Sequence, residues 1–278
     1  MPTSAKPSVW SSAKLVPFLI VSFGFTWLCW LPLLLNKQFA AGLPVLPGQF
    51  YLGSFGPLIG TLCCLILPGG DGFTAWFKTA FSFSFPKKWL VLSAGLPLAY
   101  GAAAVLVHTL VTGKAPDLHS FGLTSDLPPQ FNLWTTSLVW MLTFGIGEES
   151  GWRGYLLPAL HKRYSLNTSA LLVALIWMAW HLPAFWFNES YLGMGPGVIG
   201  WAISLTYGSV VLAWICSGSR WSIIPVIVWH GIFDLLTASD QAAEVMAMVC
   251  SMLVILHGIL LMRILGRRHS RHTKPPGM

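Results

Sequence analysis

The chain has 278 residues, of which 9% are Asp, Glu, Lys or Arg and 55% are hydrophobic, with 15 Trp and 17 Phe. A soluble domain carries about 25% charge, so this composition excludes a disordered chain, a disulfide-stapled miniprotein and an ordinary soluble enzyme. The formal net charge of +7 reads as membrane topology and not as nucleic-acid binding, because Lys and Arg gather on the cytoplasmic side of bilayer proteins.

The N-terminus is polar, with Lys6 and Lys14. The apolar run that follows is too long for a signal-peptide core and lacks a small-residue cleavage site. It is expected to be a retained first transmembrane helix. A span needs about 20 apolar residues, and eight are expected, at 15–35, 52–68, 89–112, 133–158, 168–187, 197–217, 221–238 and 245–264. The expected fold is therefore an all-α, polytopic transmembrane helical bundle, with 1–278 as a single membrane domain. Between the second and third spans, 69–88 interleaves Lys78, Lys87 and Lys88 with Phe and Trp, which suits an amphipathic interfacial helix. The cysteines, Cys29, Cys63, Cys64, Cys216 and Cys250, form no C-x-x-C pair. They predict neither a disulfide framework nor a thiolate metal site.

Sorting the basic residues by side tests the eight spans. Thirteen of the 16 Lys and Arg fall on one side, including Arg263, Arg267, Arg268, Arg271 and Lys274 of the tail. Only Lys37 and Lys114 fall on the other. That asymmetry predicts both termini in the cytoplasm, in a multi-pass protein of the cell membrane.

Six of the nine carboxylates lie in loops or at helix ends, whereas Glu148, Glu149 and Asp234 fall inside apolar spans, as do Arg153, His181 and His230. A charged Asp, Lys or Arg at a helix centre costs about 2.5–3.5 kcal/mol on an insertion scale. Such a set implies a partner network or a function. Glu149 and Arg153 stand at i,i+4, within reach of an ion pair on one helix face, while Glu148 is turned about 100° away. Gly147, Gly151 and Gly154 permit close helix approach. His230 and Asp234 repeat the i,i+4 spacing, so the Asp can hold the imidazole and its tautomer. By helical rise, Glu148, His230 and His181 lie roughly 14–20 Å into their helices, near one level. His108 and His257, in other spans without charged company, read as structural. Trp177, Trp180, Phe185 and Trp186 read as lipid-facing or packing residues.

A carboxylate, two imidazoles, a fixed cation and a second carboxylate suit attack of an activated water on a carbonyl. Burial raises a carboxyl pKa and a nearby Arg lowers it, which can tune Glu148 into a general base. Imidazole N–H groups can then meet the oxyanion. Two other readings are a proton-coupled transporter, with the same groups as a relay, and a non-catalytic immunity or scaffold membrane protein. Against the transporter, no inverted repeat is visible.

The signatures H-E-x-x-H, G-x-S-G and G-x-G-D are missing. Instead the ordered series E-E-x-x-x-R, aromatic-x-x-x-H and H-x-x-x-D resembles the CPBP family, which includes CAAX prenyl endopeptidases and bacteriocin-processing proteins. EESGWRGYLLPAL at 148–160 and WMAWHLPAF at 177–185 are similar to its bacterial members. The likeness covers about 133–238, the motif-bearing core. It implies an intramembrane protease, of the bacterial inner membrane, acting on a membrane-associated or prenylated peptide. It further implies that Glu148 activates water with help from His181, that His230 and Asp234 line the oxyanion side, and that Glu149 and Arg153 organise the site. Trp177 replaces a common Phe, a change expected to affect packing only. Asp234 replaces the Asn of prenyl-protein proteases, and a carboxylate cannot donate to an oxyanion, so it is expected to anchor His230. Glu148, His181 and His230 could alternatively hold zinc. Arg153 competes for the carboxylate and repels a cation, so no metal is the favoured expectation.

Overall fold

The computed structural model describes residues 14–67, 72–124, 126–239 and 245–272, with side chains except at 118 and 267–272. Every regular element among them is helical. Helix α1, Leu15–Phe39, carries Pro32 without breaking and closes where Ala40 turns left-handed. The expected second span is two pieces, α2 (Gln49–Gly53) and α3 (Gly56–Ile66). Pro57 opens α3. A Cβ at Gly53, Gly56 or Gly60 would overlap Trp30, Thr26 or Ser22 of α1, so these helices are in near-backbone contact.

The described residues of the linker expected to be interfacial form a short helix, α4 (Phe73–Ala80). Asp71 lies outside the described residues. Trp76 on the inner face of α4 is buried and donates to the Gly154 carbonyl at 2.9 Å. Phe73 and Phe77 are exposed and stacked on each other. The helix is amphipathic, but it is docked on the bundle by one face.

Helix α5 spans Lys88–Thr112. A capping box of Asn132 and Thr135 then starts the central helical run, α6, at 133–161. It has no break, but Met141–Glu148 and Trp152–Leu156 wind as wide π turns. Such turns inside α-helices occur frequently at functional sites. Ser165 caps α7, Leu166–His181, through the Thr168 amide, and Leu182–Trp186 continues it as a 3₁₀ turn. The remaining helices are α8 (Glu189–Leu192), α9 (Gly197–Gly218), α10 (Ile224–Thr237) and α11 (Val245–His272).

Among the described residues, six segments are long and apolar enough to cross a bilayer: Leu15–Phe39, Gln49–Ile66, Lys88–Thr112, Leu166–Trp186, Gly197–Gly218 and Val245–Gly266. Each matches an expected span. The other two expected spans correspond to α6 and α10. The 14 residues of α10 reach about 21 Å, short of the roughly 30 Å hydrocarbon core. Lacking the length of its neighbours, α10 is sheltered by α5, α6 and α11. The chain is an all-helical, multi-pass membrane protein.

Helix α6 is gripped from two sides. Gly147 and Gly151 leave no room for a Cβ against Ser54 and Pro57, while Gly145 meets Ile227 and Gly231 of α10 meets Met141. Two of the three expected small-residue contacts are of this kind. Gly154 instead presents its carbonyl to Trp76. Overpacking a filled interface costs about 1–3 kcal/mol, so Gly151→Ala is expected to lower the Tm in detergent. A Tm equal to that of the parent chain would mean α3 and α6 can separate freely.

Six tryptophans, Trp30, Trp76, Trp140, Trp152, Trp180 and Trp229, are almost wholly enclosed. A buried indole N–H needs an acceptor. Trp30 finds the Phe50 carbonyl and Trp180 finds Thr26 Oγ1, each at 2.8 Å. The aromatics of the 177–186 segment divide accordingly: Trp177 and Trp180 are interior, and Trp186 is exposed. His257, read as structural, meets the Tyr100 hydroxyl between α5 and α11. All five cysteines are free.

Candidate active site

The three motif helices are neighbours, and their polar groups converge. Glu148 and Glu149 sit where the first π stretch of α6 gives way to one α turn, and they point to different partners. Glu149 Oε1 accepts from Arg153 at 2.7 Å, the i,i+4 pair anticipated from spacing. The same oxygen lies 2.8 Å from His230 Nδ1 of α10. That nitrogen has no aligned acceptor, so the contact is an ion-pair approach off the N–H axis. His230 Nε2 in turn lies 3.5 Å from Asp234 Oδ2. The chain Arg153–Glu149–His230–Asp234 thus links α6 to α10.

Arg153 and Glu149 are fully enclosed. Arg153 stacks its guanidinium 4.5 Å from the Trp177 ring centroid, a cation–π contact that strengthens as water is removed. Its Nε and Nη2, and Glu149 Oε2, have no hydrogen-bond partner among the described residues. The pair is therefore costly to bury.

Glu148 faces α7. Its Oε2 accepts the Trp177 indole N–H at 2.7 Å and the Trp152 indole N–H at 3.3 Å. No hydrogen bond is made to Oε1 among the described residues, leaving that oxygen for a water or substrate. His181 holds its Nδ1 2.8 Å from the Trp177 carbonyl, which points to an Nδ1–H donor and a bare Nε2. Glu148 and His181 make no direct hydrogen bond among the described residues, and Trp177 joins them through its indole and its carbonyl. Its ring also stands edge-on to His230 at 5.4 Å.

All six expected site residues therefore meet, directly or through Trp177. Two tryptophans escaped the sequence reading as functional. The Trp177 substitution for Phe is corrected from a packing change to a polar one, since a phenyl ring cannot donate to Glu148. The signal was its place four residues before His181 and opposite the carboxylates. Trp152, four residues after Glu148, carried the same local signal. Among the described residues, no three His, Cys, Asp or Glu side chains group as a metal-ion site. The alternative zinc set is not assembled: Glu148 turns Oε2 to two indoles, and both His230 nitrogens face carboxylates.

Residues 130–236 match the family described as type II CAAX prenyl endopeptidase Rce1-like. That segment is similar to this family. The chain is also 31% identical over 121 residues to a CAAX prenyl protease 2 from Methanococcus maripaludis, a match covering 41% of this chain. The chain spans about two fifths of that relative, 42% of its length. The matched segment contains every charged group of the convergent set, from Glu148 to Asp234, along with Trp152 and Trp177.

A hydrogen bond to a charged group contributes about 1.5–3 kcal/mol. Trp177→Phe keeps the ring but removes the shorter of the two bonds to Glu148. Any turnover that depends on Glu148 is expected to fall about tenfold or more. Parent-level turnover in this variant would return Trp177 to a packing role.

Proposed function

We propose that this chain is an intramembrane endopeptidase that cleaves a membrane-associated or prenylated peptide with a water activated by Glu148. One observation carries the reading: an enclosed carboxylate has one oxygen held by two indoles and the other uncommitted, beside two imidazoles on neighbouring helices. The matched segment supports hydrolysis over a transporter relay, and the relative's printed name supports a prenylated peptide as substrate.

In this reaction Glu148 takes a proton from water as the hydroxide oxygen bonds to the scissile carbonyl carbon. The carbonyl π electrons move to its oxygen. When the tetrahedral intermediate collapses, the C=O bond reforms, the C–N bond breaks, and the amine leaves with the proton that Glu148 held. Glu149 holds Arg153 and orients His230, which Asp234 anchors from the other side. His181 presents Nε2 to the reacting groups. Core 133–238 acts within one eight-span domain that has both termini in the cytoplasm, a topology supported by the basic-residue asymmetry. The similarity of residues 148–160 to bacterial members favours a bacterial inner membrane.

The test is cleavage of a farnesylated C-a-a-X peptide by the full chain in phospholipid vesicles, beside the unprenylated peptide. Cleavage of the farnesylated peptide alone supports lipidated specificity. Cleavage of neither peptide overturns the reading. Metal analysis of the same sample with 1,10-phenanthroline treatment checks the chemistry: chelator-insensitive turnover is expected. Stoichiometric zinc with chelator-sensitive turnover would replace the glutamate mechanism.

A further inference from the structure

His181 is held by contacts that reach outside the matched residues 130–236. Its Nδ1 faces the Trp177 carbonyl at 2.8 Å, and its ring packs edge-on against Trp180, centroids 4.7 Å apart at 86°. The first contact is made within α7. The second depends on where the Trp180 indole is fixed, and α1 fixes it.

Two prolines give α1 its hold. An uninterrupted helix would pair the Gly53 carbonyl with the amide of residue 57, but that residue is Pro57, which has no N–H. The Thr26 hydroxyl donates to the Gly53 carbonyl instead, at 2.7 Å. Beyond α7 the chain winds as a 3₁₀ turn, in which a carbonyl pairs with the amide three residues on. For Trp180 that residue is Pro183, again without an N–H. The Trp27 indole of α1 donates to the Trp180 carbonyl at 3.0 Å. With its proton on Gly53, the Thr26 oxygen is left as an acceptor, and the Trp180 indole donates to it at 2.8 Å. Thr26 is fully enclosed and Trp180 almost so. One hydroxyl therefore joins α1, α2 and the end of α7, at the residue that precedes His181.

We propose that Thr26 is a positioning residue for the hydrolysis proposed above: through Trp180 it sets where His181 presents Nε2. The inference rests on that reading, and it adds to the site a residue of the first span, outside the charged motifs. Thr26 acts through Trp180 and takes no part in proton transfer.

The test follows cleavage of the farnesylated peptide by the full chain in phospholipid vesicles, with kcat counted per folded molecule below every Tm. Thr26→Val keeps the shape and removes the hydroxyl, whereas Trp180→Phe removes the indole donor and leaves Thr26 on Gly53. Each is expected to lower kcat about 10–10²-fold, as small misplacements of a reacting group do, with KM within about threefold. Thr26→Ser keeps a hydroxyl that both donates and accepts, and is expected to hold kcat within about threefold of the parent. Combining Thr26→Val with Trp180→Phe is expected to lower kcat no further than the slower single variant, because both remove one bond. Parent-level kcat in Thr26→Val, even with a lowered Tm, assigns Thr26 to folding alone and overturns the inference. So do losses that multiply in the combined variant, a Thr26→Ser as slow as Thr26→Val, or an effect confined to KM. If Thr26→Val does not fold, parent-level kcat in Trp180→Phe overturns the inference by itself. Glu148→Gln in the same series separates the two readings. With the parent active and Glu148→Gln inactive, each of these failures removes Thr26 alone. Full activity in Glu148→Gln, or a parent chain that cleaves nothing, removes the proposed hydrolysis and this inference with it.

Discussion

Glu148→Gln is expected to lower peptide cleavage by about 10²–10⁴-fold, the range that a positioned general base supplies, with a Tm close to that of the parent. The amide is isosteric with the carboxylate, and its oxygen can still accept the Trp177 and Trp152 indoles that hold Oε2. Only the ability to take a proton from water is lost. Turnover per folded molecule, measured beside thermal unfolding in the same detergent, separates chemistry from folding. Full turnover in this variant would end the proposed mechanism, whatever the substrate.

Breaking the enclosed Arg153–Glu149 pair is expected to give the largest loss of stability. Removing one partner of a buried pair costs about 3–5 kcal/mol, because the other charge is stranded without compensation. Here the environment is fully enclosed on both sides. Arg153→Ala strands Glu149 and also removes the stacking over Trp177. Glu149→Ala strands Arg153 and frees His230 from its 2.8 Å approach. The double replacement by Met should be less damaging than the sum of the two single losses, since no charge is then left buried. Strictly additive losses in Tm or denaturant midpoint would mean the two groups do not depend on each other. Activity should be absent in Glu149→Ala and in the double variant, because His230 then loses its anchor on α6.

How much of this was legible depended on whether a feature was local. The spans α1, α5, α9 and α11 matched their expected positions because each is an uninterrupted apolar run. The Glu149–Arg153 pair was legible because i,i+4 neighbours meet on any helix. The division of the second span near Ser54 and Phe55 was not legible. It follows from how closely Gly53 and Gly56 approach Trp30 and Thr26 on another helix. The π turns of α6 were equally hidden, since nothing in the spacing marks them. The Trp177 bond to Glu148 joins residues 29 apart in sequence, and the expectation that Trp merely replaced Phe missed it.

The sequence by itself determined the membrane class, six of the candidate spans and the short roster of intramembrane charges. The physical reason is that a helix in lipid must satisfy its backbone within the segment. Each span is therefore written into its own run of residues. Tertiary structure alone decided which oxygen of which carboxylate is committed and which indole holds it. Those contacts depend on which helices adjoin and how closely. In a bilayer, packing and interhelical hydrogen bonds set those neighbours, without hydrophobic contrast to guide them.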